Sequence, residues 1–144
     1  MLKDIIMITE NDVVDMVSLK LRQLEFEILS SCSTAEKGVD IVAKKERYKI
    51  LIEAKGGTSS KKSKRSGKPF TRNQAKIHIS VAIYKVLELR EENKDALLGI
   101  AIPYDRNHYE FIQRIKSSLS ELKIIIFWCD DGVVKIENNT LDKL

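Results

Sequence analysis

Apolar residues recur at three- and four-residue spacing through Val13, Val14, Val17, Leu21 and Leu24, the period of one helical face. Thr9 followed by Asp12 has the form of a helix N-cap, and the pattern predicts an amphipathic helix over 9–24. Three β-rich runs follow: Glu25 to Ser30, Val39 to Lys44 and Tyr48 to Lys55, the last two joined by a charged turn around Glu46. A second helix is expected from Thr71 to Glu92, apolar through Ala75, Ile79, Ala82, Ile83, Val86 and Leu87 and wide enough to be buried on more than one side. Leu97 to Ile102 and Ile124 to Cys129 are apolar nearly throughout, as strands covered on both faces are. A helical stretch from about Asn107 to Leu122 separates them, which makes a right-handed crossover between parallel strands. Asp130, Asp131 and Gly132 turn the chain into a last strand, Val133 to Glu137. The order αβββαβαββ describes an α/β sandwich with helices on both faces of a mixed sheet.

Composition narrows the class. The chain has 144 residues, 43% of them hydrophobic, enough for one core that buries roughly 68 to 70% of the unfolded surface. A single domain spanning residues 1–144 is expected, and no segment approaches the roughly 18 consecutive apolar residues of a membrane span. The short apolar run Ile5 to Ile8 lacks the features of a signal peptide, so a cytoplasmic location without a membrane partner is expected. Cys32 and Cys129 form no metal spacing and read as reduced, structural residues.

The net charge of +4 is local. Lys61, Lys62, Lys64, Arg65, Lys68 and Arg72 lie between Gly56 and Arg72 without an acid among them, so the remainder sums to 4 − 6 = −2. Gly, Ser, Lys and Pro69 give the stretch at about 56–70 the composition of a flexible loop. A basic patch beside a mildly acidic body suits a polyanion such as nucleic acid, and a solvated loop has the same charge.

The chemistry concentrates on two strands, Gly38-Val39-Asp40-Ile41-Val42-Ala43 and Ile50-Leu51-Ile52-Glu53-Ala54-Lys55. Glu53 and Lys55 share one face, with Ile50, Ile52 and Ala54 on the other. A two-residue turn at Glu46-Arg47 pairs Asp40 with Glu53; a slip by two leaves them diagonal neighbours. Either register brings their Cβ atoms within roughly 5 to 8 Å. Two carboxylates that close raise one another's pKa unless a cation lies between them, and such oxygen pairs suit Mg²⁺ or Mn²⁺. Glu10 falls on the apolar stripe of the first helix, where it either joins this cluster or meets the helix dipole.

The Asp40 and Glu53-Ala54-Lys55 pattern, preceded by a helix bearing an acid, resembles the PD-(D/E)XK nuclease superfamily, and within it the Holliday junction resolvases and Mrr-like nucleases. Val39 stands where the motif's name has proline. The resemblance implies a restriction-endonuclease-like three-layer sandwich, with an αβββαβ core plus αββ, and a Mg²⁺- or Mn²⁺-dependent phosphodiesterase. It implies Asp40, Glu53 and the Ala54 carbonyl as metal ligands, Lys55 orienting or activating water, and Glu10 as an auxiliary acid. Nucleic acid, DNA foremost, is the implied partner, with the six basic residues as its binding surface, and a homodimer is compatible with it. Gln74 starts the second helix, where relatives approach the scissile phosphate, yet Thr71-Arg72-Asn73-Gln74 also has the form of a capping box. His78 reads as a packing or surface residue. Tyr104, His108 and Tyr109 read as a cover for the sheet end. The competing functions are a noncatalytic nucleic-acid-binding or assembly module of the same fold, and a protein-interaction domain whose loop is plain disorder.

Overall fold

A computed structural model describes residues 2–31, 38–58, 68–137 and 141. In chain order the elements are α1 (Glu10–Gln23), β1 (Glu27–Ser31), β2 (Ile41–Lys45), β3 (Tyr48–Ala54), α2 (Arg72–Glu92), β4 (Leu97–Pro103), α3 (Arg106–Gln113), α4 (Lys116–Glu121), β5 (Ile124–Asp130) and β6 (Val133–Glu137). The six strands form one sheet in sequential order. Its centre, β3-β4-β5, is parallel, and hairpins at both sides add antiparallel partners.

Thr9 and Asp12 begin α1 as a reciprocal capping box, with bonds of 3.1 and 2.9 Å. Val13, Val14, Val17 and Leu21 are then buried on one sheet face against Ile41, Ile50, Ile52, Ala54, Phe127 and Cys129. Both crossovers, β3 to β4 and β4 to β5, advance in the same direction along the sheet, so a common right hand puts their helices on the opposite face. There Ile79, Ala82, Val86, Ile112 and Leu119 pack on Leu51, Ile100, Ile102, Ile126 and Trp128. Alternate residues of β4 and β5 thus feed two cores, which explains their unbroken apolar sequence.

Turn chemistry fixes the register that matters most. Glu46, at φ 54°, occupies the left-handed region in the two-residue turn between Lys45 and Tyr48. Counting back from that turn pairs Ile41 with Ile52. At the other end Asp131 and Gly132, at φ 30° and 85°, close the β5-β6 hairpin.

Three expectations need correction. The stretch between β4 and β5 is two helices, because the chain leaves helical geometry at Ile115 (φ −126°, ψ 14°) and tightens through an Ile115 N–H bond to the Ile112 carbonyl. Helix α2 is buried along one side only: Ile77, Val81 and Tyr84 are half or more exposed, since the sheet and α3 cover just the opposite side. The first strand begins at Glu27, because Leu24 and Glu25 are spent closing α1 and Glu25 is left-handed at φ 69°. Among the described residues no helix is long and apolar enough to cross a membrane.

Candidate active site

Continuing the β2-β3 register one step beyond Ile41 and Ile52 sets Asp40 directly opposite Glu53. Both are nearly enclosed, at 9% and 7% exposure. The ladder ends there, and Asp40 Oδ2 accepts the Ala54 N–H at 2.8 Å, a donor that would otherwise lose its partner. In an extended strand a residue's N–H and C=O address the same neighbour, so the Ala54 carbonyl is turned toward Asp40 as well.

Electrostatics follow from that enclosure. Burial first, then the Asp40 charge, pushes the Glu53 carboxyl up to about 7, against opposing effects of Lys55 and Lys85. Enclosure therefore favours the protonated form of Glu53 beside Asp40, while Glu53 Oε1 is buried without a hydrogen-bond partner. The Asp40 carboxyl is also raised by burial, with the Ala54 N–H and Lys55 working against the shift. A buried carboxyl pair that keeps a proton near neutrality is set up to exchange it for a cation.

Glu10 joins from the opposite face of the sheet. It is half-buried, its carboxyl raised by burial and by the charge of Asp40 and lowered by Lys55. Gly56 and Gly57, directly after Lys55, allow this approach. A Cβ on Gly56 would lie 2.5 Å from the Glu10 nitrogen, and one on Gly57 would lie 2.2 Å from the Ile6 oxygen. The Gly57 N–H donates to the Ile8 carbonyl at 2.7 Å, tying the start of α1 to the end of β3.

From the other side α2 presents Gln74, His78, Ala82 and Lys85 at helical spacing. Lys85 acts on both Asp40 and Glu53, and His78 is within electrostatic reach of Lys55. Gln74 completes the capping box, its Oε1 accepting the Thr71 N–H at 2.8 Å. Lys85 was not legible as a site residue. Its only signal is its place on the Gln74-His78 stripe.

The basic segment is described at its base alone. Thr58 and Pro69 form an isolated bridge, Phe70 donates its N–H to the Gly57 carbonyl at 2.9 Å, and the Thr58 hydroxyl donates to the Lys68 carbonyl. Lys61, Lys62, Lys64 and Arg65 lie outside the described residues, as does Cys32. Lys68 is exposed. Arg72 is bound to Glu110 at 2.7 Å and Asn107 at 3.1 Å and lies over the Phe111 ring, so its charge is partly neutralised within the fold. Cys129 is a buried free thiol pushed up to about 12 by burial, in keeping with a structural role. Tyr104 and Tyr109 pack with Trp128 at centroid distances of 5.4 and 5.7 Å and cover the sheet end.

Two solved structures share this architecture. One is an XisH family protein from Nostoc punctiforme, 19% identical, with a TM-score of 0.51 over 85% of this chain and 95% of that one. The other is an fdxN element excision controlling factor protein from Anabaena variabilis, 21% identical, with a TM-score of 0.52 over 86% and 96%. No protein-family model matches the chain, and neither does any curated protein. At this identity the likeness concerns the fold, a restriction-endonuclease-like mixed sheet flanked by helices.

The donor set fits a hydrated divalent cation. Among the described residues no three Asp, Glu, His or Cys side chains converge to cage an ion. Mg²⁺ does not require such a cage, since it keeps several waters and uses one or two carboxylates together with phosphate oxygens. Asp40 and Glu53, with the unpartnered Oε1 of Glu53, offer a site of that kind.

Proposed function

We propose that the chain is a divalent-metal-dependent nuclease that hydrolyses DNA phosphodiester bonds. The observation that carries this reading is the enclosed pair Asp40 and Glu53, which face each other across the hairpin and hold a proton near neutrality, with lysines on two sides. Two carboxyls enclosed this closely cost stability unless a proton or a cation lies between them. One of the fold neighbours is described as an excision controlling factor, and a DNA-processing role joins that description to this site.

Asp40, Glu53 and the Ala54 carbonyl would hold Mg²⁺ or Mn²⁺. The bound ion would supply Lewis-acid polarisation of a phosphate and a lower pKa for the attacking water. Lys55 orients that water, Glu10 supports it as an auxiliary acid, and Lys85 offsets the negative charge of the pair. Gln74 lies one turn before His78 on α2, and its carboxamide caps the helix. The basic segment neutralises flanking phosphates.

The test is a panel of labelled linear, nicked, branched and single-stranded DNA with Mg²⁺ or Mn²⁺, run beside Asp40→Asn. Cleavage by the parent alone supports the nuclease. DNA binding and metal binding without cleavage of any substrate would identify a noncatalytic module of the same fold.

A further inference from the structure

Helix α2 is apolar on a second side, and nothing among the described residues covers it. Ile77, Val81 and Tyr84 recur at spacings of four and three, one above the other on the outer face, and are 50%, 50% and 66% exposed. Single exposed apolar side chains are ordinary, whereas a contiguous row marks a contact surface. Beyond the described residues the sequence holds only Met1 and Leu144 as large apolar side chains, and residues 59–67 hold none, too few to cover the row from within the chain. On the flank toward α3, Ile79, Ile83, Phe111 and Ile115 line a groove of about 230 Å³, with the exposed Lys76 and Ser80 at its edge.

We propose that this side of α2 is the interface of a homodimer, in which two copies of the helix pack antiparallel about a two-fold axis near Ser80 and Val81. The face is self-complementary, as a two-fold contact requires. Its apolar centre is bounded by Lys76 toward the N-terminal end and by Glu88, four residues past Tyr84, toward the C-terminal end, both exposed. Reversing one copy on the other sets Ile77 level with Tyr84 of the second copy and brings each Lys76 within about one helical turn of the opposite Glu88. A parallel pairing would instead set lysine against lysine and glutamate against glutamate, a like-charge cost that selects against it. The antiparallel two-fold axis lies across the helices and keeps like flanks together, so each Tyr84 meets the groove of the other copy beside Lys76 and Ser80. A tyrosine so placed supplies a large contact area with only two side-chain torsions to fix. The interface holds whether or not the chain cleaves DNA.

The test is sedimentation equilibrium of the whole protein from about 1 μM to about 1 mM, with circular dichroism to establish that each variant is folded. The parent should dimerise within this range. Val81→Glu, at the centre of the row, should raise the dissociation constant about 30-fold or more, as loss of a central interface contact does. Lys76→Glu should weaken the dimer as well, and adding Glu88→Lys in the same chain should restore it, because each copy then presents the reversed pair to the other. A parent that stays monomeric throughout overturns the proposal and assigns the row to a different protein. A dimer with parent affinity in Val81→Glu overturns it too and places the interface on another face. Should Val81→Glu fail to fold, the charge reversal at two exposed positions decides: a dimer indifferent to Lys76→Glu, or not restored by Glu88→Lys, overturns the antiparallel pairing.

Discussion

The backbone of Gly56 stands against the backbone of Glu10, so close that a single added methyl would lie 2.5 Å from the Glu10 nitrogen. This contact brings an acid from one face of the sheet to carboxylates on the other. Gly56→Ala must therefore push the start of α1 away from the end of β3. Overpacking against backbone is expected to cost about 1–3 kcal/mol, read by urea denaturation, and cleavage should fall because Glu10 moves with its helix. A parent-like stability and rate would mean that α1 yields without loss and that the contact does not position Glu10.

Stability should depend on pH through Glu53. Its folded pKa of about 7 lies above the ordinary value of 4.5, so the folded state binds the extra proton between those values. The associated stability is complete below about 4.5 and lost as pH rises through about 7, on the order of 3 kcal/mol without metal. Mg²⁺ or Mn²⁺ competes with that proton. Thermal unfolding with and without metal should thus show a larger metal-induced rise in Tm at pH 8 than at pH 6. An equal rise at both would separate metal binding from this carboxyl pair.

Asp40→Asn keeps an oxygen for the Ala54 N–H, the bond measured at 2.8 Å, and removes the charge that raises Glu53. The variant should lose cleavage by at least about 100-fold while the metal-free protein gains about 1 kcal/mol above pH 7. Loss of activity together with loss of stability would instead indicate a carboxylate needed for folding.

How far the site was legible depends on whether its members are neighbours in register or in space. Asp40 and Glu53 were legible because a two-residue turn counts them into opposition, leaving the diagonal register unused. Glu10 was legible as an acid on an apolar stripe, but nothing in the residue pattern shows that Gly56 and Gly57 bring the two faces together. Lys85 was not legible: its charge reaches the carboxyls through the packing of α2 on the sheet, which no spacing along the chain announces. The split at Ile115 was hidden for a related reason, since neither glycine nor proline marks it.

Lys85 gives a separate handle on the pair. Its charge lowers the pKa of both Asp40 and Glu53, so Lys85→Gln should move the midpoint of the metal-free pH-stability curve upward. Lys76→Gln, on an exposed position of the same helix, should leave it in place. Coincident midpoints in the two variants would show that Lys85 does not act on the carboxyls.

The basic segment is the remaining test of the nucleic-acid reading. Lys61, Lys62, Lys64 and Arg65 are interleaved with Ser63 and flanked by Ser59, Ser60 and Ser66, which supplies charge without an apolar period that could pack. Contacts from such a segment go to phosphates and carry no sequence information. Each residue that meets a phosphate adds roughly 0.9 to the salt slope on duplex DNA. Replacing all four with Ser should therefore reduce the slope by up to about 3.6 and weaken unrelated sequences alike. Metal binding at Asp40 and Glu53 should persist, because the Thr58–Pro69 bridge closes the base of the segment independently of its charges. Arg72, already paired with Glu110, should contribute less to the slope than any of the four. Parent-like affinity and slope in the quadruple variant would place the DNA surface elsewhere on the fold.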